Sequence, residues 1–353
     1  MGDDALLDMT EAGYAALDRA DWPGACAAFE AILERDPGHA DALDGLGQAR
    51  WWLNHLDHAI ELRGRAYGRF VDTGRPARAA KIAAWLAREY FTVHGNLPAA
   101  AGWIGRADTL LQAAERCPEA GWLALIKLAL SPDPEAMKAL AAEALELARE
   151  FADRDLAIVG LSAKGLAHVC ACEMREGMAC LDEAMAAATG GELRSFWSLS
   201  DVYCNTLLAC ERAGDFERAE QWCRVVNDFT RRFAAEPLFP FCHVTFGAIL
   251  TATGRWTEAE EELEQALRLF AVGHRAIRVI ALARMAELRL KQGRLDEAGR
   301  LLDGYEGHPL AIRPVVGLHL ATGRPSLGRE TIRRRLGQLP EGSLLTAPLL
   351  ALL

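Results

Sequence analysis

Along most of the chain, apolar residues recur at three- and four-residue intervals, the spacing of an amphipathic helix. Short polar or glycine-bearing turns interrupt this periodicity at regular distances. One turn pattern repeats: a turn residue, then an apolar residue, then a small residue three positions later. Gly254-Arg255-Trp256 with Ala259 is the clearest copy, joined by Gly293-Arg294-Leu295 with Ala298 and Gly214-Asp215-Phe216 with Ala219. Earlier copies are Ala20-Asp21-Trp22 with Ala25, Asn54-His55-Leu56 with Ala59, and Gly95-Asn96-Leu97 with Ala100. Cys172-Glu173-Met174 with Gly177 and Gly323-Arg324-Pro325 with Gly328 are weaker ones. The turn residue lets the chain reverse, the apolar residue is expected to plug the hairpin, and the small residue lets two helices approach. The pattern predicts an all-α fold, a right-handed superhelical solenoid of about nine helix pairs.

The units follow from the turns. The first pair is expected at 10–20 and 23–35, the second over 39–70 and the third over 76–114. The fifth to eighth span 155–189, 193–234, 237–270 and 275–305. Trp22 to Leu56 is an interval of 34 residues; later intervals run 41, 42, 40 and 39 residues. A single array over 1–353 is expected, with 34-residue units over 1–74, longer units over 75–307 and degraded or truncated units over 308–353. The fourth unit is irregular, and its Ser131-Pro132-Asp133-Pro134 reads as a helix stop. A repeat array needs a polar cap, whereas 344–353 is apolar. That end is expected to continue into the next repeat helix of a longer protein.

Composition narrows the classes. Hydrophobic residues make up 51% and charged residues 25%, with Ala and Leu dominant, a helix-favouring bias. A net charge of -10 argues against an extended nucleic-acid surface. The basic run 329–335, containing Arg333-Arg334-Arg335, reads as a solvated helix face. Nine cysteines without the spacing of a small secreted domain read as buried thiols of a reducing compartment. The acidic start Met1-Gly2-Asp3-Asp4 is not a signal peptide, and no run is long enough to span a bilayer. A cytoplasmic location without membrane contact is expected.

Particular residues carry a family resemblance. Phe29, Pro37, Leu46-Gly47, Ala59 and Ala66 match the tetratricopeptide consensus, and the longer repeats from Leu97 onward look like the maltose-regulator variant. The run 42–49 with Trp51-Trp52 and Ala59-Ile60 resembles the amino-terminal array of LuxR-type bacterial regulators. So do Gly121-Trp122-Leu123-Ala124-Leu125, Cys210-Glu211-Arg212, Asp215-Phe216 and 219–223. The resemblance implies a sensing module of a transcriptional regulator. It would touch DNA only through a carboxyl-terminal domain beyond these residues.

Candidate chemistry is sparse. The sequence holds neither a Walker-type loop nor a Gly-x-Gly-x-x-Gly turn. Cys170, Cys172 and Cys180 lack metal spacing, as does His55-x-x-His58. No cofactor, metal or catalytic residue is expected, and the chain reads as a non-enzyme. Alignment on the turns places Trp52, Trp85, Glu89 and Asp201 near the concave face. Trp51, Tyr90, Trp197 and Asn205 fall one position away or on adjoining turns. Trp22, Trp222 and Trp256 read as structural. Rings beside polar groups suit a small molecule or an extended peptide in the groove. The leading expectation is a ligand- or protein-sensing regulatory module, with self-association open. The alternative is a free-standing scaffold for a peptide or protein. A sensing pocket predicts that Trp52→Ala and Trp85→Ala weaken binding without unfolding the chain.

Overall fold

The computed structural model describes residues 3–232, 240–339 and 346–353. Nine helix pairs follow one another among them. They are α1 (Asp3–Asp18) with α2 (Trp22–Leu33), α3 (Ala40–Trp52) with α4 (Leu56–Asp72), and α5 (Pro76–Thr92) with α6 (Leu97–Gln112). Next come α7 (Pro118–Leu130) with α8 (Pro134–Glu150), and α9 (Arg154–Cys170) with α10 (Met174–Thr189). Then follow α11 (Phe196–Ala213) with α12 (Phe216–Arg232), and α13 (Pro240–Ala252) with α14 (Trp256–Val272). The last pairs are α15 (Val279–Lys291) with α16 (Leu295–Leu302), and α17 (Ile312–Ala321) with α18 (Pro325–Leu336). A short α19 (Ala347–Leu350) ends the described chain, and a 3-10 turn, Arg275–Ile277, precedes α15. The expected end of the sixth unit near 234 and start of the seventh at 237 lie outside the described residues.

The repeated turn has one geometry. Its first residue is left-handed in all eight copies: Ala20 (φ 59°), Asn54 (63°), Gly95 (64°), Cys172 (64°), Gly214 (71°), Gly254 (82°), Gly293 (74°) and Gly323 (72°). Such a residue ends one helix and turns the chain into the next. The apolar residue two positions on is the first helical residue of the partner. The small residue is buried every time, and Ala25, Ala59, Ala219, Ala259 and Ala298 have no exposed surface. In the fifth unit, a methyl group on Gly165 would lie 2.8 Å from the Gly177 carbonyl oxygen. Glycine is required there because the two backbones meet.

The apolar residue plugs the hairpin in some copies only. Leu97 is 60% exposed and Trp256 39%, whereas Leu56 is 4% exposed. Trp22, Met174 and Phe216 pack half-buried against the core, and Leu56 is enclosed because another segment crosses it. Over Leu56 that segment is Gly273.

The fourth unit is a stop. α7 ends at Leu130, Ser131 is extended (φ -85°, ψ 132°), and the Asp133 carboxylate accepts from the Glu135 N–H at 3.1 Å to start α8. No helix among the described residues is long and apolar enough to cross a membrane. The core runs unit to unit, as a repeat array requires. Its largest buried cluster runs from α7 to α13, with Leu156, Leu181, Met185 and Leu207 fully enclosed.

Candidate functional site

Units far apart in sequence meet. The turn after α14 lies on the second and third pairs: a Cβ on Gly273 would be 2.7 Å from Asn54 Oδ1, and one on Gly95 would be 3.1 Å from Ala276. Arg275 grips Asp57 through two guanidinium nitrogens at 3.1 and 3.2 Å, across 218 residues of sequence. The start of α11 reaches the first two pairs as well.

At the centre is an aromatic and ionic junction. Trp51 of α3 is buried, with its ring 4.4 Å from Trp197 of α11 and 5.8 Å from His274. Trp52 stands edge-on to Trp51 at 5.2 Å and stacks on Trp22 at 4.6 Å, and Trp22 meets Phe196 edge-on. Arg88 of α5 lays its guanidinium 3.8 Å over the Trp197 ring, a cation–π contact. The same guanidinium donates twice to Glu89 Oε1, each at 3.1 Å. Glu89 is fully buried, and its Oε2 makes no hydrogen bond but lies 3.6 Å from His274 Nε2. Burial pulls the His274 pKa below its ordinary value; Glu89 opposes this and Arg88 adds to it. His274 is therefore neutral at pH 7, and Arg88 is the cation that balances Glu89.

Asp201 lies one turn beyond Trp197 on α11 and accepts a hydrogen bond from its indole. Burial pushes the Asp201 pKa up to about 6, against the lowering effects of Arg88 and of that hydrogen bond. Among the described residues no basic side chain forms an ion pair with it. The carboxylate is thus a poorly compensated charge at neutral pH. An acid whose folded pKa is raised stabilises the fold less as pH climbs from its unfolded value, near 3.8, to about 6. Asp201→Asn keeps an acceptor for Trp197 and removes the charge. It should stabilise the chain at pH 7 by about 1–2 kcal/mol, less than the full shift implies because the side chain is only half-buried. Thermal melts at pH 4 and pH 7 check this, since the gain must vanish at the lower pH. An equal gain at both would refute it.

The expected groove residues part company. Trp51, Trp52, Trp197, Glu89 and Asp201 come together at the junction. Trp85 is buried under Arg63 of α4, whose guanidinium lies 4.1 Å from its ring. Tyr90 packs towards His94 and Trp103, and Asn205 donates to Ser162 Oγ of α9 at 3.0 Å. Arg88, His274 and Phe196 complete the junction without any signal in the repeat pattern, because their partners sit in other units; Trp22, the apolar residue of the first repeated turn and read as structural, joins them by stacking on Trp52. Two surface cavities, of about 160 and 220 Å³, lie against α17–α18 and between α6, α7 and α8. None of the expected groove residues lines either, and both are smaller than typical small-molecule sites, roughly 300–1,000 Å³. Among the described residues no cluster of three or more His, Cys, Asp or Glu side chains could hold a metal.

Neither a protein-family model nor a curated protein sequence matches the chain. Solved structures do. A Rap protein complexed with competence and sporulation factor matches over 100% of both chains, with a TM-score of 0.63 and 13% identity. Aspartyl phosphate phosphatase F from Bacillus subtilis matches over 97% of this chain and 96% of its own, with a TM-score of 0.51 and 13% identity. The fold is a tetratricopeptide-like helix-pair solenoid.

Two expectations are corrected by these likenesses. The kinship with LuxR-type regulators, and the transcriptional role it implied, gives way to a tetratricopeptide-like helix-pair solenoid of the kind seen in the Rap structure. The residues that carried it explain why: Leu43, Leu46, Ala59, Leu123, Cys210 and Ala219 are buried where helices pack, so they report the repeat and not its use. The reading as a non-enzyme falls too, because the same fold occurs in a protein named a phosphatase. A missing sequence motif is no argument against catalysis on this scaffold.

Proposed function

We propose that this chain is a helix-repeat scaffold that binds a peptide or protein partner along its concave face, and that the partner is cationic. Asp201 carries the reading: it is a half-buried carboxylate with no ion pair among the described residues, beside Trp197, whose ring meets Arg88 of α5. Glu89 at the junction is already matched by Arg88, and Glu211, farther along α11, by Arg284 of α15. A guanidinium or ammonium from a partner would supply the compensation Asp201 lacks. The net charge of -10 steers such a partner inward. The Rap structure in complex with competence and sporulation factor supports the same use of the fold. A small-molecule pocket at the tryptophans has no such support.

Short fluorescent peptides of positive, neutral and negative charge test this by anisotropy. The positive set should bind, more tightly as pH rises through about 6 and Asp201 ionises. Asp201→Asn should weaken binding by roughly tenfold, the scale of one lost charge-assisted contact. Binding that ignores peptide charge, or an unaffected Asp201→Asn, would sink the proposal. The likeness to aspartyl phosphate phosphatase F favours a second reading, action on an aspartyl phosphate. Phosphate release from a phosphoaspartyl protein decides it.

A further inference from the structure

Cys204 and Cys242 bring two sulfur atoms to 2.8 Å, from helices of successive units. Cys204 sits mid-way along α11 and is half-buried, whereas Cys242 lies in the first turn of α13 and is 1% exposed. Their separation exceeds a disulfide bond, about 2.05 Å, by less than an ångström. A third sulfur, Cys223 of α12, is close by but engaged, since the Tyr203 hydroxyl donates to it at 3.1 Å. The geometry singles out one pair among nine cysteines. The more open member is placed to meet a reagent and the enclosed member to answer it.

We propose that Cys204 and Cys242 form a peroxide-sensitive dithiol that closes to a disulfide and ties α11 to α13. The Cys204 thiolate attacks one oxygen of hydrogen peroxide and the O–O bond breaks. The displaced hydroxide takes up a proton as water, leaving a sulfenic acid on Cys204. The Cys242 thiolate attacks that sulfur, the S–O bond breaks, an S–S bond forms and a second hydroxide leaves as water. Two thiols are oxidised and one peroxide is reduced to two waters. Cys204 is one helical turn from Asp201, so the bond clamps the wall that carries the junction. The site is independent of the partner reading, because the chemistry needs only the two sulfurs.

The full chain is treated with one equivalent of hydrogen peroxide, digested without reductant and mapped by mass spectrometry. A Cys204–Cys242 crosslinked peptide is expected, removed by dithiothreitol, and accompanied by an upward melting shift of a few degrees. Cys204→Ser and Cys242→Ser should each abolish the peptide and the shift, while Cys223→Ser keeps both. Exposed Cys172 is the internal control. Oxidation of Cys172 with Cys204 and Cys242 left unlinked overturns the proposal, and so does a Cys204–Cys223 link. Should a serine variant fail to fold, the wild-type peptide map alone decides.

Discussion

Arg63→Ala should destabilise the amino-terminal units by about 3–5 kcal/mol, the cost of stranding one member of a buried ion pair. Arg63 is 5% exposed and Asp44 4%. Arg63 Nε donates to Asp44 Oδ1 at 2.7 Å, linking the two helices of the second pair. Its guanidinium also lies over Trp85, and its Cγ fills the space a Cβ on Gly47 would need. The alanine variant leaves Asp44 buried, with Arg78 at 3.5 Å and a hydrogen bond from Gln48 as its remaining support. Burial by itself would raise the Asp44 pKa, but Arg63, Arg78 and Lys81 outweigh it and hold the group below the ordinary carboxylate range. An acid with a depressed folded pKa stabilises the fold above its unfolded value. That contribution is lost only as pH falls through the folded one. The pair therefore survives mild acid. Urea unfolding at pH 7, followed by far-ultraviolet circular dichroism, measures the loss. The first units should melt ahead of the rest, since repeats unfold as neighbouring blocks. A loss below about 1 kcal/mol, the scale of an exposed pair, would show that water reaches the site.

Trp197→Ala should open the contact between distant units while leaving the helices in place. Its ring lies between Trp51 at 4.4 Å and the Arg88 guanidinium at 3.8 Å, and its indole serves Asp201. A tryptophan deleted from a core costs about 3–5 kcal/mol, and a half-buried one less, so about 2–4 kcal/mol is expected here. The loss falls on a contact between units that are not sequence neighbours. The chain can therefore relax by parting them without unfolding either. Small-angle scattering should show a larger radius of gyration, with the helical circular-dichroism signal unchanged. Unchanged dimensions together with an unchanged melting temperature would show that the Arg275–Asp57 side of the contact suffices without the ring.

Local signals in the sequence were reliable where the physics is local. The left-handed residue, the first residue of the second helix and the buried small residue all lie within six positions of one another. One turn and one helix pairing determine them together. Ala20 and Cys172 show how strong that demand is, because the turn imposes positive φ even without glycine. The candidate site was legible only in part. The aromatic and acidic residues at first-helix positions could be named, but not which of them would meet. Trp85 is covered by Arg63 and Tyr90 faces Trp103, yet both follow the same periodicity as the residues that joined the junction. Arg88 and His274 had no signal at all.

The sequence by itself determined the unit: its helix pair, its turn and its small-residue contact, because each is stabilised by neighbours a few residues away. Only the tertiary structure decided how far the array curls. It brought the turn at 273–277 onto the second and third pairs, stacked Arg88 on Trp197, left Asp201 with no ion pair among the described residues and set Cys204 against Cys242. Those contacts depend on small rotations between successive units, summed over the array. No single repeat encodes that sum.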